Sequence, residues 1–226
     1  MEQEEKITIG SPVLDDLLEG GIEKDIVTTV YGPSGSGKSN IAMAAAAAHA
    51  DKKVIYVDTE SGFSVNRLKQ LTEDYEEVLD NLMILRPASL VEQGKTFEKL
   101  KDTVNDKISL IVVDSIAMLY RLEVAKTNNV KETNQQLAEQ IANLIRIARD
   151  RGIPVLVMNQ VYSSFDEKES VNIVGGDILK YGSKCLIELR RDGERRFAVV
   201  RKHRSMAAGR EAEFVIRDEG LLPAEE

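Results

Sequence analysis

The sequence predicts an α/β fold: a mainly parallel sheet flanked by helices, with antiparallel strands added at the C-terminal end. Three observations carry this. Short apolar, β-branched runs alternate with helical patterns as far as Gln160. A glycine-rich turn joins the first of these runs to a helix. Beyond Ser183 three strand patterns follow one another closely, without helices between them. Alternation of the first kind needs crossover helices and gives parallel strands buried on both faces, whereas close spacing gives antiparallel pairs.

In chain order, "SPVLDDLLEGG" reads as a short helix with Ser11 as N-cap, Pro12 at the first position and Gly20 or Gly21 as the stop. "IVTTVY" (Ile26–Tyr31) is a buried strand, and "SNIAMAAAAAHA" after it is a helix whose alanines let it lie close to a sheet. Further strands are expected at Val54–Asp58, Leu82–Arg86, Leu110–Asp114 and Ile153–Gln160, with helices at about Val65–Glu73, Leu90–Val104 and Val130–Arg151. "SKCLIELRR", "RRFAVVRKH" and "AEFVIRD" are the antiparallel strands, the first two joined by a hairpin with Asp192-Gly193 at its turn. Glu123–Lys131 and Tyr162–Gly176 are polar and weakly patterned, and are expected as mobile loops. With no repeat and no linker, residues 1–226 are expected to form one domain.

Composition narrows the function. No run of about 18 apolar residues is present, so no membrane span is expected, and "MEQEEK" is unlike a secretory signal. The lone Cys185 excludes an internal disulfide, suits a reducing cytoplasm and is expected buried in a strand. A net charge of -8 argues against broad, non-specific nucleic-acid binding. The charge is uneven, however. Lys180–Arg210 holds ten Lys or Arg against three Asp or Glu, so the remaining chain is strongly acidic.

The chemistry begins at "GPSGSGKS", Gly32–Ser39, which satisfies the Walker A pattern G-x-x-x-x-G-K-[ST]. Glycines let backbone N–H groups curl around phosphate oxygens. The pattern arises by chance in under roughly 1% of chains this long, and here a strand precedes it and a helix follows. Gly32, Pro33, Ser34, Gly35, Ser36, Gly37, Lys38, Ser39 and Asn40 are the expected nucleotide cradle. Lys38 would reach the β- and γ-phosphates, and Ser39 would hold Mg2+ at the positive end of the helix. Asp114, ending "LIVVDS", is the expected second magnesium residue. Glu60 in "YVDTES" and Gln160 in "LVMNQ" stand at strand ends where α/β sheets gather ligands. Glu60 is the candidate general base and Gln160 a candidate sensor of the γ-phosphate, against the alternative that both are solvated loop residues.

With these elements in order the chain resembles the RecA-like recombinase superfamily, and specifically the archaeal RadB family, short paralogues of the archaeal recombinase RadA. The resemblance is carried by "TIGSPVLDDLLEGGIE", "YGPSGSGKSNIA", "YVDTESGFSVNRL", "LIVVDS", "VLVMNQV" and "GGDILKYGSKCLIELRR", and covers nearly the whole chain. It implies a RecA-like P-loop NTPase core. In it Glu60 activates water, Gln160 links nucleotide state to the next loop, and that loop, Tyr162–Gly176, contacts single-stranded DNA. Departures are also legible. The N-terminal DNA-binding domain and the Phe-x-x-Ala docking segment of these recombinases have no counterpart in "MEQEEK", so autonomous filaments and strand exchange are not expected. Ser61 stands where recombinases usually have glycine. The loop carries Asp166, Glu167 and Glu169 against Lys168 alone, a poor match for phosphate, while Tyr162 and Phe165 either stack on bases or pack the loop down.

The resemblance therefore implies an ATP-binding, weakly hydrolysing accessory protein of homologous recombination and DNA repair. It would use ATP and Mg2+, bind DNA modestly and modulate a RadA-type recombinase. The alternative is a KaiC-like regulatory ATPase or an ATP-switched scaffold without a direct DNA role. DNA contacts are expected from Arg190, Arg191, Arg195 and Arg196 of the basic hairpin, on or near one sheet edge, unless these only keep an edge strand soluble. "RKHRS" replaces the Asp-Ser-Pro stretch with which recombinases cap the neighbouring subunit's ATP. Lys202 and Arg204, on one face by strand alternation with His203 pointing away, resemble the Lys-x-Arg fingers of KaiC-like ATPases. That role needs a homo-oligomer; a DNA contact and a solvated strand end are the alternatives.

Overall fold

The computed structural model describes residues 5–49, 51–127, 129–162 and 172–224. A small antiparallel pair, β1 (Lys6–Ile7) with β2 (Ile22–Glu23), encloses helix α1 (Pro12–Leu17). The main sheet follows: β3 (Val27–Gly32), helix α2 (Lys38–Ala47), β4 (Lys53–Asp58), helices α3 (Val65–Leu71) and α4 (Tyr75–Asn81), β5 (Leu82–Leu85), helix α5 (Leu90–Thr103) and β6 (Ile108–Asp114). Helices α6 (Met118–Lys126) and α7 (Val130–Arg151) lead to β7 (Val155–Tyr162), and the short β8 (Asn172–Ile173) and helix α8 (Gly176–Gly182) lead to β9 (Cys185–Asp192). β10 (Arg195–Lys202), β11 (Glu211–Arg217) and β12 (Gly220–Pro223) complete the fold. The spatial order is β12-β11-β10-β9-β3-β7-β6-β4-β5, with β8 against β7. Strands β9 to β5 in that order are parallel, and β10 to β12 are antiparallel, as the sequence predicts.

The apolar runs are continuous because both faces of the sheet are covered. Ile55 and Val57, Ile111 and Val113, and Val155 and Val157 face the layer of α5, α6 and α7. Val54 and Tyr56, Leu110 and Val112, and Leu156 and Met158 face α1 and α2. On that second side, Ala44, Ala45 and Ala46 of α2 are all buried, which the small side chains make feasible. Cys185 is buried in β9 as expected, and burial pushes its thiol up to about 12.

Local expectations fail in instructive ways. The helix expected over Val65–Glu73 stops at Leu71: Thr72 is extended and its Oγ1 accepts from the N–H of Asp74, starting the separate helix α4. The loop expected over Glu123–Lys131 is short, because Glu123–Lys126 is the last turn of α6, whose buried side is only Leu119 and Tyr120. Ser11 occupies the N-cap of α1, but its hydroxyl donates to the carbonyl of Leu221 at 3.1 Å instead of capping the helix. Asp192 pairs with Arg195, so the hairpin turn is Gly193-Glu194, one residue later than expected. The hairpin is also interior to the sheet, since β5 and β12 are the edges. Of the expected Tyr162–Gly176 loop, Tyr162 ends β7, Asn172–Ile173 pairs with it, and Gly176 opens α8. Phe165, Asp166, Glu167, Lys168 and Glu169 lie outside the described residues. Among the described residues no helix is long and apolar enough to cross a membrane.

Candidate nucleotide site

The turn after β3 needs its glycines for distinct reasons. Gly37, the N-cap of α2, has φ +109°, and a Cβ there would stand 2.9 Å from Cδ1 of Ile216 on β11. Gly32 has no room either, since its Cβ would meet the carbonyl oxygen of Leu189 at 2.6 Å. The loop is thus pinned by β9 and β11, and within it the Ser36 N–H donates to the Pro33 carbonyl at 3.3 Å. Lys38 is buried, and its ammonium donates to the carbonyls of Gly32 (2.9 Å) and Pro33 (2.8 Å). Burial lowers its pKa, while the charges of Asp114 and Glu60 oppose that shift. Ser36 Oγ is buried without a hydrogen-bond partner among the described residues.

Asp114 ends β6, across β7 from the loop. Ser39 donates to its carboxylate, and the Tyr56 hydroxyl donates to Oδ2 at 3.2 Å. Burial nevertheless raises its pKa above the usual carboxylate value. An orphaned hydroxyl, a buried ammonium and a hydroxyl–carboxylate pair make a donor set that fits a phosphate with a hard divalent cation. Among the described residues no group of three or more His, Cys, Asp or Glu gathers elsewhere to compete for a metal. One carboxylate and one hydroxyl beside phosphate is the sparse protein contribution that magnesium takes.

Glu60 lies just beyond β4. The following turn is built by the buried Asp58, which accepts from the N–H groups of Gly62 (2.9 Å) and Phe63 (3.3 Å). Ser61 there has φ +56°, the left-handed conformation a glycine adopts freely, which accounts for the glycine usual at this position. Oε1 of Glu60 accepts from Ser115 Oγ at 2.6 Å and from Gln160 Nε2 at 2.9 Å, and Gln160 Oε1 in turn accepts from Arg121. Ser115 is itself locked to Thr59, whose hydroxyl donates to the Ser115 carbonyl (2.7 Å) and accepts from its N–H (2.9 Å). Four neighbouring strands, β3, β7, β6 and β4, thus deliver the glycine loop, Gln160, Asp114 and Glu60 to one end of the sheet.

The basic residues divide between the two ends. At the nucleotide end, Arg190 pairs with Glu211 (2.8 Å) and Arg195 with Glu213 (2.5 Å). Arg191 and Arg196 stand directly opposite one another across β9 and β10, a like-charge pair. Among the described residues their hydrogen bonds go only to turn carbonyls, of Gly193 and Glu194, and Arg196 Nε is buried without a hydrogen-bond partner. Arg191 Nη1 comes within 3.9 Å of where a Cβ on Gly35 would stand, so it overhangs the phosphate loop. Lys202 and Arg204 lie at the opposite end, about 25 Å away along β10. A bulge between Val200 and Lys202 breaks the alternation, and Arg204 lies beyond the strand, so the shared-face expectation does not hold. Lys202 donates to the carbonyls of Lys180 (2.7 Å) and Ser183 (2.8 Å). Arg204 pairs with the buried Glu23 (2.5 Å) and with Asp25 (3.1 Å), and Arg201 with Glu188 (2.5 Å). The His203 side chain is packed in against Glu23, the same carboxylate that Arg204 meets, so it does not point away from Arg204 as the strand alternation implied.

Fold and site together define a RecA-like P-loop nucleotide-binding protein. The Rad51 family model matches residues 2–224. "DNA repair and recombination protein RadB" of Methanobrevibacter smithii is 42% identical over 98% of this chain and 97% of its own length. That of Methanosphaera stadtmanae is 38% identical over 92% of each. A solved structure described as "Crystal structure of the RadB recombinase" superposes with a TM-score of 0.82 at 36% identity, covering 97% of this chain and all of that one. The chain belongs to the Rad51 family, on its RadB branch. Rad51 and RecA proteins are ATPases, which supports a general ATPase activity here.

Sequence reasoning missed Thr59, Ser115 and Arg121. Thr59 and Ser115 lie inside the quoted "YVDTES" and "LIVVDS" and were within reach. Arg121, a charged residue on a helix, gives no signal in the sequence.

Proposed function

We propose that this chain binds ATP with Mg2+, hydrolyses it slowly, and serves DNA recombination and repair as an accessory to a RadA-type recombinase. Names of its relatives support the repair and recombination setting. The convergence of Lys38, Ser39, Asp114 and Glu60 at one end of the sheet carries the nucleotide reading. Gly32–Asn40 would hold the phosphates, with the Lys38 ammonium exchanging its loop carbonyls for the β- and γ-oxygens. Ser39 and Asp114 would hold magnesium, which when bound supplies charge neutralisation at those oxygens. Among the described residues no hydrogen bond reaches Oε2 of Glu60, since both donors fall on Oε1. Oε2 is then the atom that takes the proton from the attacking water.

DNA would be met by Arg191 and Arg196 first, because Arg190 and Arg195 already have carboxylate partners. Lys202 and Arg204 face away from their own phosphate loop, so a role at ATP requires a second copy stacked head to tail. The central test is ATP titration and turnover. Lys38→Ala is expected to abolish ATP binding. Glu60→Gln should retain affinity and lower turnover by about 10²-fold or more. Unchanged magnesium-dependent turnover in both variants would remove the basis of the assignment. Capture of a RadA-type recombinase by this chain, with and without ATP, tests the partner; no capture in either condition rejects it.

A further inference from the structure

The amide of Gln160 can face Glu60 in two ways, and the structure contains a reason for one of them. Its oxygen accepts from Nη1 of Arg121, and its nitrogen donates to Oε1 of Glu60 at 2.9 Å. A guanidinium has donors only, and an ionised carboxylate has acceptors only. With the amide turned over, N–H would oppose N–H at Arg121, and oxygen would oppose oxygen at Glu60. Arg121 therefore dictates which end of Gln160 meets Glu60, although it does not itself touch Glu60.

Arg121 is well placed to do this rigidly. It sits in the first turns of α6, its N–H bonded to the carbonyl of Ala117 at 3.0 Å. The residues before it anchor the helix: Leu119 and Tyr120 are buried, and the Tyr120 hydroxyl donates to Asn134 of α7 at 2.7 Å. Gln160 is fixed from its backbone, which donates to Asn159 Oδ1 at 2.9 Å and accepts from Val174 N–H at 3.1 Å. Ser115 supplies the second donor to Oε1 of Glu60 at 2.6 Å.

We propose that Arg121 is a positioning residue for ATP hydrolysis: by orienting the Gln160 amide it keeps two donors on Oε1 of Glu60 and turns Oε2 to the water. This rests on the reading of Glu60 as general base. Without Arg121 the amide is free to rotate, and the carboxylate loses one of the two contacts that aim it. Misaimed catalytic groups cost rate more than binding, because aim matters at the transition state and ATP is held mainly by the phosphate loop.

The test is steady-state ATP hydrolysis by wild type, Arg121→Ala, Arg121→Lys, Gln160→Ala and the Arg121→Ala/Gln160→Ala double variant, each checked for folding by thermal unfolding. Arg121→Ala should lower kcat by about 10- to 100-fold with KM for ATP nearly unchanged. Arg121→Lys, which keeps a donor, should recover part of the loss and serves as the probe if Arg121→Ala does not fold. The double variant should be no slower than Gln160→Ala, since Arg121 acts through that amide. Unchanged kcat in Arg121→Ala, or losses that simply multiply in the double variant, overturns the proposal. If wild type binds ATP without hydrolysing it, the general-base reading fails and this one with it. If hydrolysis is lost in Glu60→Gln yet intact in Arg121→Ala, only the positioning role falls.

Discussion

Burial sets the protonation behaviour of the two charged groups that meet at the phosphate loop, and it acts against both charged forms. Asp114 is the clearer case, its pKa raised chiefly by desolvation despite hydrogen bonds from Ser39 and Tyr56. A carboxyl whose pKa is higher folded than unfolded binds its proton more tightly in the native state. The stability this gives is complete below the unfolded value near 3.8 and is lost as pH rises through the folded one. At neutral pH the ionised side chain therefore weighs against the nucleotide-free fold. Asp114→Asn should raise the melting temperature at pH 7, and the gain should shrink as pH approaches 4. The same variant should lose magnesium-dependent hydrolysis; a lower melting temperature at pH 7 would contradict this account. Lys38 and Ser39 were legible in the sequence because one local pattern holds them, and Asp114 because it ends an apolar strand run. Arg121 was not, because its value lies in the strand end that happens to stand across from its helix.

Elements were legible where burial on both faces wrote a continuous apolar run, as at Leu110–Asp114 and Val155–Met158. They were obscure where an element hides little surface. Helix α6 buries Leu119 and Tyr120 and shows a polar end that reads as loop, and α4 buries only Val78. The bulge in β10 leaves no compositional trace, which is why Lys202 and Arg204 were expected on one face. The β9–β10 hairpin carries an expectation of its own. Exposed ion pairs such as Arg190–Glu211 already neutralise half of its cations, whereas Arg191 and Arg196 repel each other across the strands and would be relieved by an anion. Replacing both with glutamine should weaken DNA binding and reduce the slope of log affinity against log salt by about one to two units. Arg195→Gln should have a smaller effect, since its charge is answered by Glu213. An unchanged slope in the Arg191/Arg196 variant would assign the pair to the hairpin's own structure.

At the scale of the whole molecule, the strong positive excess of Lys180–Arg210 does not become one basic face. Glu19, Glu23, Asp25, Glu188, Glu211 and Glu213 reach its arginines from elsewhere in the chain and from within it. The cations divide between opposite ends of the sheet, which the sequence count alone could not reveal. Separation makes the trans-acting reading of Arg204 testable by complementation. Arg204→Ala and Glu60→Gln should each be inactive, and a mixture should regain part of the activity through interfaces that pair an intact Arg204 with an intact Glu60. Demonstrably mixed oligomers without recovery would return Arg204 to the ion pair it makes with Glu23 and Asp25.

The position of β3 has a consequence for how the molecule comes into being. Val27 aligns with Val155 of β7, and Thr28 aligns with Cys185 of β9, so both flanks of this strand come from the far end of the chain. The glycine loop is also wedged by Ile216 of β11. As the polypeptide is synthesised, the segment that will cradle phosphate is made early and waits unpaired until almost everything else has emerged. Such long-range pairing is slow and exposes strand edges in the interval. On the proposed nucleotide reading, ATP would therefore not nucleate folding from the N-terminal side. It would fasten a sheet already closed around β3, as a late lock on the finished protein.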